Sequence, residues 1–329
     1  MTGIMKIYKG HTLFPLVFNI ELTDACPLNC PYCYKDINTA KNLDFHYLIK
    51  LLDEFSSNGG KYVLLSGGEP LMYSHLIEAI KFGKSVGLKI ALSTSGYGLN
   101  EMKLRKMSKY NLDFLYISLN SHIEAINKLS RDGYNYAIKA MQLCQKLNFP
   151  YWLNTVVRHD NLPYLEGLID YAKKQNALGI DLLSNKPDRY GNISSPLDNK
   201  DIKELIKIFR KNGAYMNYQT CFTIMKTYFN KQNNHKNLNQ LLKGCSAGLY
   251  SMTVFSNGSF SPCPHCESFL QERFKSITEY WEKSQVLAKF RQKKSVSLKC
   301  EDCTYSQYCS PCTAFSENEY CLGDLLNDY

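Results

Sequence analysis

The 329-residue sequence predicts an α/β fold, a partial (β/α)6 barrel followed by a small cysteine-rich C-terminal domain. Two observations carry this. Short β-rich apolar runs alternate strictly with amphipathic helical stretches up to about residue 185, the pattern of a parallel sheet buried on both faces. Thirteen cysteines are spread unevenly, with three near the start and eight in the last quarter. Six βα units are two short of a closed eightfold barrel, so an open barrel is expected.

Taken in order, the predicted strands are 15–22, 62–66, 88–94, 114–119, 151–157 and 179–183. Helical patterns fill the gaps at 45–55, 75–86, 101–110, 134–147 and 162–174. Polar residues or glycine follow every strand: Thr23-Asp24, Ser66 to Pro70, Thr94-Ser95-Gly96, Ser118 to Asn120, Thr155 to Arg158 and Ser184-Asn185. Chemistry in such folds gathers at these carboxyl ends. Residues 186–200, with Pro187, Gly191 and Pro196, read as a long loop, and a helix is expected over 201–211. The predicted division is a barrel over 1–200, a bridge over 201–244 and a cysteine-rich unit over 245–329.

Composition narrows the function classes. At 44% apolar and 21% charged residues the chain is neither disordered nor collagen-like. No apolar run is long enough to span a bilayer and no secretory leader is evident, so a cytoplasmic location is expected. The charge of +9 raises the question of nucleic acid, but the 39 basic residues are scattered through apparent helices, which reads as a solvated surface. Thiols in a reducing compartment point to metal or catalysis rather than disulfides.

The first cysteine group, Cys26-Pro-Leu-Asn-Cys30-Pro-Tyr-Cys33, is a C-x3-C-x2-C loop directly after the first strand. Three clustered thiolates suit three irons of a cubane and leave one iron open, which a catalytic site needs. Zinc is the rival, but it wants a fourth ligand, and His46 is the only close candidate. The loop resembles that of the radical S-adenosylmethionine (SAM) superfamily, including Tyr32 before the last cysteine. Gly67-Gly68-Glu69-Pro70, at the end of the second strand, resembles the family motif that receives the methionine amino group.

The resemblance implies a [4Fe–4S] cluster on Cys26, Cys30 and Cys33 that binds and reductively cleaves SAM. The 5′-deoxyadenosyl radical so formed takes a hydrogen from substrate. It also implies ribose and carboxylate contacts from Thr94, Ser95, Ser118 and Asn120, with Arg131 or Arg158 available to pair with the SAM carboxylate.

The second group, Cys245-x12-Gly258-x4-Cys263 followed by Cys300-x2-Cys303-x5-Cys309-x2-Cys312-x8-Cys321, is similar to the SPASM extension of peptide- and protein-modifying members. It departs by one residue, between Cys309 and Cys312. The resemblance implies two auxiliary [4Fe–4S] clusters, one on Cys300, Cys303, Cys309 and Cys321, the other on Cys245, Cys263 and Cys312. Cys266, in C-x2-C spacing with Cys263, is the first choice for the fourth ligand of the latter; an open iron is the alternative. A pair of zinc ribbons serving a nucleic-acid-binding protein is the rival for the whole field.

The expected reaction is modification of a peptide, ribosomally made, by crosslinking or epimerisation. Sulfatase-type maturation fits less well, because Pro264 stands where those enzymes carry an aspartate base. The runner-up is dehydrogenation of a sugar or cyclitol. Twenty-five residues before Cys26 leave no room for a leader-binding domain, so a separate leader-binding protein is expected, with an electron donor such as flavodoxin or ferredoxin. Cys221 lies outside both motifs, in a stretch compatible with a helix. It is a catalytic candidate as a hydrogen-atom donor, with cluster ligation and simple burial as the alternatives.

Overall fold

The computed structural model describes residues 7–8, 10–35, 40–233, 244–266, 270–292, 304–306 and 308–309. Cys300, Cys303, Cys312 and Cys321 lie outside the described residues. A short antiparallel pair, β1 (Ile7–Tyr8) and β2 (His11–Thr12), precedes the main sheet. The six expected strands follow as β3 (Val17–Glu21), β4 (Tyr62–Ser66), β5 (Lys89–Thr94), β6 (Phe114–Ser118), β7 (Tyr151–Val157) and β8 (Ile180–Ser184). All pair in parallel in chain order, giving the expected partial barrel.

Helices α1 (Phe45–Ser57), α2 (Leu76–Ser85), α3 (Glu101–Lys109), α4 (Glu124–Lys128), α5 (Tyr134–Lys146) and α6 (Leu165–Lys174) lie between the strands. Apart from the five-residue α4, each buries an apolar stripe; in α1 it is Leu48, Leu51, Leu52 and Phe55. Alternate strand residues such as Phe18, Ile20, Val63, Leu65, Ile117 and Leu153 meet these stripes in one core. The strand period of two therefore turns Asn19, Glu21, Ser93, Tyr116, Ser118, Asn154 and Asp181 to the opposite face.

The sheet is longer than the sequence predicts. Helix α7 (Asn199–Asn212), fixed at its start by a reciprocal Asp198–Asp201 cap, leads to β9 (Met216–Tyr218), which pairs parallel with β8. The stretch around Cys221 is not helical. The Gln219 N–H continues the edge by donating to Leu182 O at 3.0 Å, and Phe222 N–H closes a turn on Gln219 O at 2.8 Å. Helix α8 (Thr223–Gln232) starts only after that turn.

At the other edge β10 (Ser251–Val254) pairs parallel with β3 and antiparallel with β11 (Phe260–Ser261). Among the described residues the main sheet thus has nine strands. Residues assigned by sequence to the cysteine-rich unit are part of it. No helix among the described residues is long and apolar enough to cross a membrane.

Candidate active site

The cysteine loop leaves β3 and returns before α1 through a closed neck. Thr23 bridges Asn42, Asp24 N–H donates to Lys41 O and Leu43 N–H donates to Leu22 O, both at 2.9 Å. Within the loop, Cys33 N–H turns back on Cys30 O at 3.1 Å. All three thiols are half-buried. Burial pushes Cys26 up to about 11, against a hydrogen bond from Leu28 N–H, with Glu69, Cys30 and Cys33 adding to the rise. Cys33 is raised by burial too, despite a hydrogen bond from Lys35 N–H. Three clustered sulfurs, two of them already accepting a backbone N–H, fit a cationic iron–sulfur group that takes thiolates and hydrogen bonds to them.

The glycines at 67 and 68 have a packing reason. Gly68 N–H donates to Thr23 O at 2.6 Å and Glu69 N–H to Ala25 O at 2.8 Å, so the turn after β4 lies against the entrance of the cysteine loop. A Cβ on Gly67 would sit 2.5 Å from Thr23 O, and one on Gly68 would sit 2.5 Å from Ala25 O. Gly67 also holds φ +143°. Pro70 opens a single 3₁₀ turn, Pro70–Met72, that Glu69 caps.

The Glu69 carboxylate is buried and fully engaged. It accepts from Leu71 N–H (3.1 Å), Thr94 Oγ1 (2.7 Å), Ser95 N–H (2.9 Å) and Ser95 Oγ (2.5 Å). Burial raises its pKa, and these hydrogen bonds act in the opposite direction. Thr94 and Ser95, predicted as SAM contacts, therefore hold Glu69 in place. Asn120 is equally committed: Nδ2 donates to Ser130 Oγ at 2.8 Å, and Oδ1 accepts Val156 N–H at 3.0 Å. Ser118 lies one strand over from Asn154 on the face opposite the helical core.

The two arginines separate. Arg131 donates to Tyr32 OH, and its guanidinium lies over the Tyr32 ring, 5.3 Å from the centroid. Burial works against its charge, and Tyr32 with the Cys30 and Cys33 sulfurs more than offsets this. Its Nε has no hydrogen-bond partner among the described residues. Arg158 is placed elsewhere. Asp160 takes its Nε (3.1 Å) and Nη2 (2.6 Å), and Ser194 Oγ accepts from Nη1 at 2.9 Å.

Sequence reading missed a buried charge cluster beside the loop. Lys35, two residues past Cys33, pairs with Glu21 and lies 3.2 Å from Asp24. Tyr34 OH donates to Glu21 at 2.9 Å, and its ring packs against His265, centroids 4.2 Å apart. The signal was available, since Glu21 is an acidic residue on a strand otherwise buried. Tyr34 and His265 bring the two cysteine regions into contact. In the second region Cys245, Cys263 and Cys266 are buried together with Cys221 against them, and Cys309 packs on the main core. The nine described cysteines are all free thiols.

A barrel of this kind with a three-thiol loop beside a Gly-Gly-Glu turn defines a class. Residues 20–172 match the family described as the Radical SAM superfamily. Among particular proteins, the chain is 25% identical to the AdoMet-dependent heme synthase of Methanosarcina barkeri, over 94% of this chain and 96% of that one. With the protein of the same name from Oleidesulfovibrio alaskensis it shares 21% identity, over 89% and 81%. In fold it is similar to Streptococcus suis SuiB (TM-score 0.79, 18% identity, 93% of this chain and 74% of that one). It is also similar to anSMEcpe with bound AdoMet (TM-score 0.68, 18% identity, 93% and 92%).

Proposed function

We propose that the protein is a radical SAM enzyme of the SPASM type that modifies a peptide, by crosslinking or epimerisation. The observation that carries it is the three-thiol loop held against Gly67-Gly68-Glu69 by two backbone hydrogen bonds. Cys26, Cys30 and Cys33 would hold the SAM-binding cluster, and the C-terminal cysteines two auxiliary clusters. When bound, the cluster and SAM supply a 5′-deoxyadenosyl radical that abstracts hydrogen from substrate carbon. This chain's own residues orient and enclose. Glu69 fixes the turn that offers backbone carbonyls to the methionine ammonium. Arg131 keeps Tyr32 against the cysteine loop and has an N–H left for a carboxylate. The engagement of Arg158 by Asp160 makes Arg131 the better partner for SAM.

Two solved structures of similar fold support a peptide substrate: SuiB was captured with the precursor peptide SuiA and anSMEcpe with a peptide named Cp18Cys. The names of the sequence relatives favour a second reading, a heme precursor. A substrate of that kind brings several carboxylates and needs cations. Beside the cysteine loop Lys35 is taken up by Glu21, and Arg131 is assigned to the SAM carboxylate, which favours the peptide.

The test is anaerobic turnover with SAM and an electron donor, dithionite or flavodoxin, offered either a candidate precursor peptide or a carboxylated heme precursor. The peptide should accelerate 5′-deoxyadenosine formation. A product two hydrogens lighter marks a crosslink or oxidation, and unchanged mass with solvent deuterium at an α-carbon marks epimerisation. Acceleration by the heme precursor alone would sink the peptide reading.

A further inference from the structure

Cys221 is claimed by neither cysteine motif, yet the turn that carries it is fastened to the loop that carries Cys245. The Thr220 and Ser246 hydroxyls are 2.9 Å apart, and Ser246 N–H donates to Thr220 Oγ1 at 3.4 Å. Lys226 Nζ donates to Gly244 O at 2.8 Å. These contacts flank both cysteines, so the segments that carry the two thiols are tied together. Cys263 and Cys266 are joined by the single turn Pro264–Cys266, in which Cys266 N–H donates to Cys263 O at 3.1 Å. Cys245, Cys263 and Cys266 form one buried cluster with Ala247 and Phe290, and Cys221 packs against it.

The charges around Cys221 differ from those of an ordinary core thiol. Lys186 hydrogen-bonds its sulfur, and the Lys186 ammonium also acts on Cys263. Cys144 is the contrast within this chain: it is buried on α5, and only burial acts on it. Four sulfurs from three chain segments, with an ammonium beside two of them, form the donor set of a closed cubane, which takes four thiolates.

We propose that Cys221, Cys245, Cys263 and Cys266 are the four thiolate ligands of one auxiliary iron–sulfur cluster. Cys221 is then a ligand rather than a hydrogen donor to substrate, and Cys312 is not needed to complete the set. This rests on the reading that the C-terminal cysteines bind clusters.

The test begins with the Cys26→Ala/Cys30→Ala/Cys33→Ala variant, reconstituted anaerobically, in which all remaining iron is auxiliary. Adding Cys221→Ala should remove about four irons per chain or leave a three-iron cluster with its own electron paramagnetic resonance signal. Cys221→Ser should keep iron and shift the signal of one reduced cluster, because oxygen replaces a sulfur ligand. Cys312→Ala should preserve that same signal, and Cys144→Ala should change neither iron nor spectrum. Unchanged iron and spectrum in both Cys221 variants overturn the assignment, as does loss of the Cys221-sensitive signal in Cys312→Ala. Full iron in Cys221→Ala within the otherwise native chain, with solvent hydrogen no longer entering the product, also overturns it and makes Cys221 the donor. If the triple variant holds no iron at all, the auxiliary-cluster reading falls before Cys221 is touched, and the assignment falls with it.

Discussion

Asp181, on β8, is a buried carboxyl with no cation paired to it among the described residues. It is 4% exposed, and its Oδ1 has no hydrogen-bond partner among the described residues. Burial raises its pKa to about 6, against a hydrogen bond with Gln219. A raised acid favours the folded state most below its ordinary pKa of about 4, and that contribution is lost as pH climbs through about 6. A shift of about two units corresponds to roughly 3 kcal/mol. Asp181→Asn should therefore be more stable than the parent at pH 8, by up to about 3 kcal/mol, with no advantage at pH 4. Urea unfolding at both pH values checks this, and an equal gain at each would show that titration is not the cause. Glu69 makes a second prediction at this scale. Glu69→Gln turns one acceptor oxygen into a donor facing the donors of Leu71, Thr94 and Ser95, at a cost of roughly 1–3 kcal/mol. Unfolding without SAM should report that loss, and equilibrium dialysis should show weaker SAM binding with iron content less affected.

Elements here meet through backbone as much as through side chains. The exit of β4 can lie against the entrance of the cysteine loop because residues 67 and 68 carry no Cβ. In Gly68→Ala the new methyl would face Ala25 O at 2.5 Å and Asp24 O at 2.6 Å, backbone atoms pinned by the loop's neck. We expect a loss of about 1–3 kcal/mol and poorer iron loading at Cys26, Cys30 and Cys33. Gly213→Ala is the matched control, since Gly213 has ordinary helical φ and its nearest neighbour is Phe209 at 3.6 Å. That substitution should be neutral or stabilise by about 0.4–1 kcal/mol. If the two variants unfold alike, the close approach at Gly68 carries no energy.

For the molecule as a whole, β10 joins the C-terminal region to the barrel. It covers the outer edge of β3, Leu16 and Val17 N–H both donate to Tyr250 O, and the Trp281 indole N–H reaches Thr12 O at 2.9 Å. Met252, Val254, Phe260, Ile277 and Trp281 belong to the same core as the barrel strands. A fragment ending at residue 244 would expose a hydrophobic strand edge and lose that burial, so it should aggregate or fail to unfold cooperatively. A soluble, cooperatively unfolding fragment would show instead that the barrel folds alone. With all clusters loaded the intact chain should hold about twelve irons. Changing Cys26, Cys30 and Cys33 to Ala should remove about four of them and abolish SAM cleavage, as iron analysis and 5′-deoxyadenosine assays would show.

The sequence by itself determined the six βα units, because period-two and period-3.6 apolar patterns are local properties. β7 falls at 151–157 as predicted, and the other strands differ by at most two residues at an end. The three-thiol loop and Gly67 to Pro70 were legible for the same reason: their meaning lies in spacing along the chain. Only the tertiary structure decided that four residues, Ser251–Val254, become a strand, since so short a run has no periodicity of its own and is fixed by pairing with β3. It alone set Thr94 and Ser95 on Glu69, Arg158 on Asp160 and Arg131 on Tyr32, because a polar side chain's partner depends on what lies across the fold. It also brought Cys221 beside Cys245 and Cys263, by hydrogen bonds between segments that are distant in sequence.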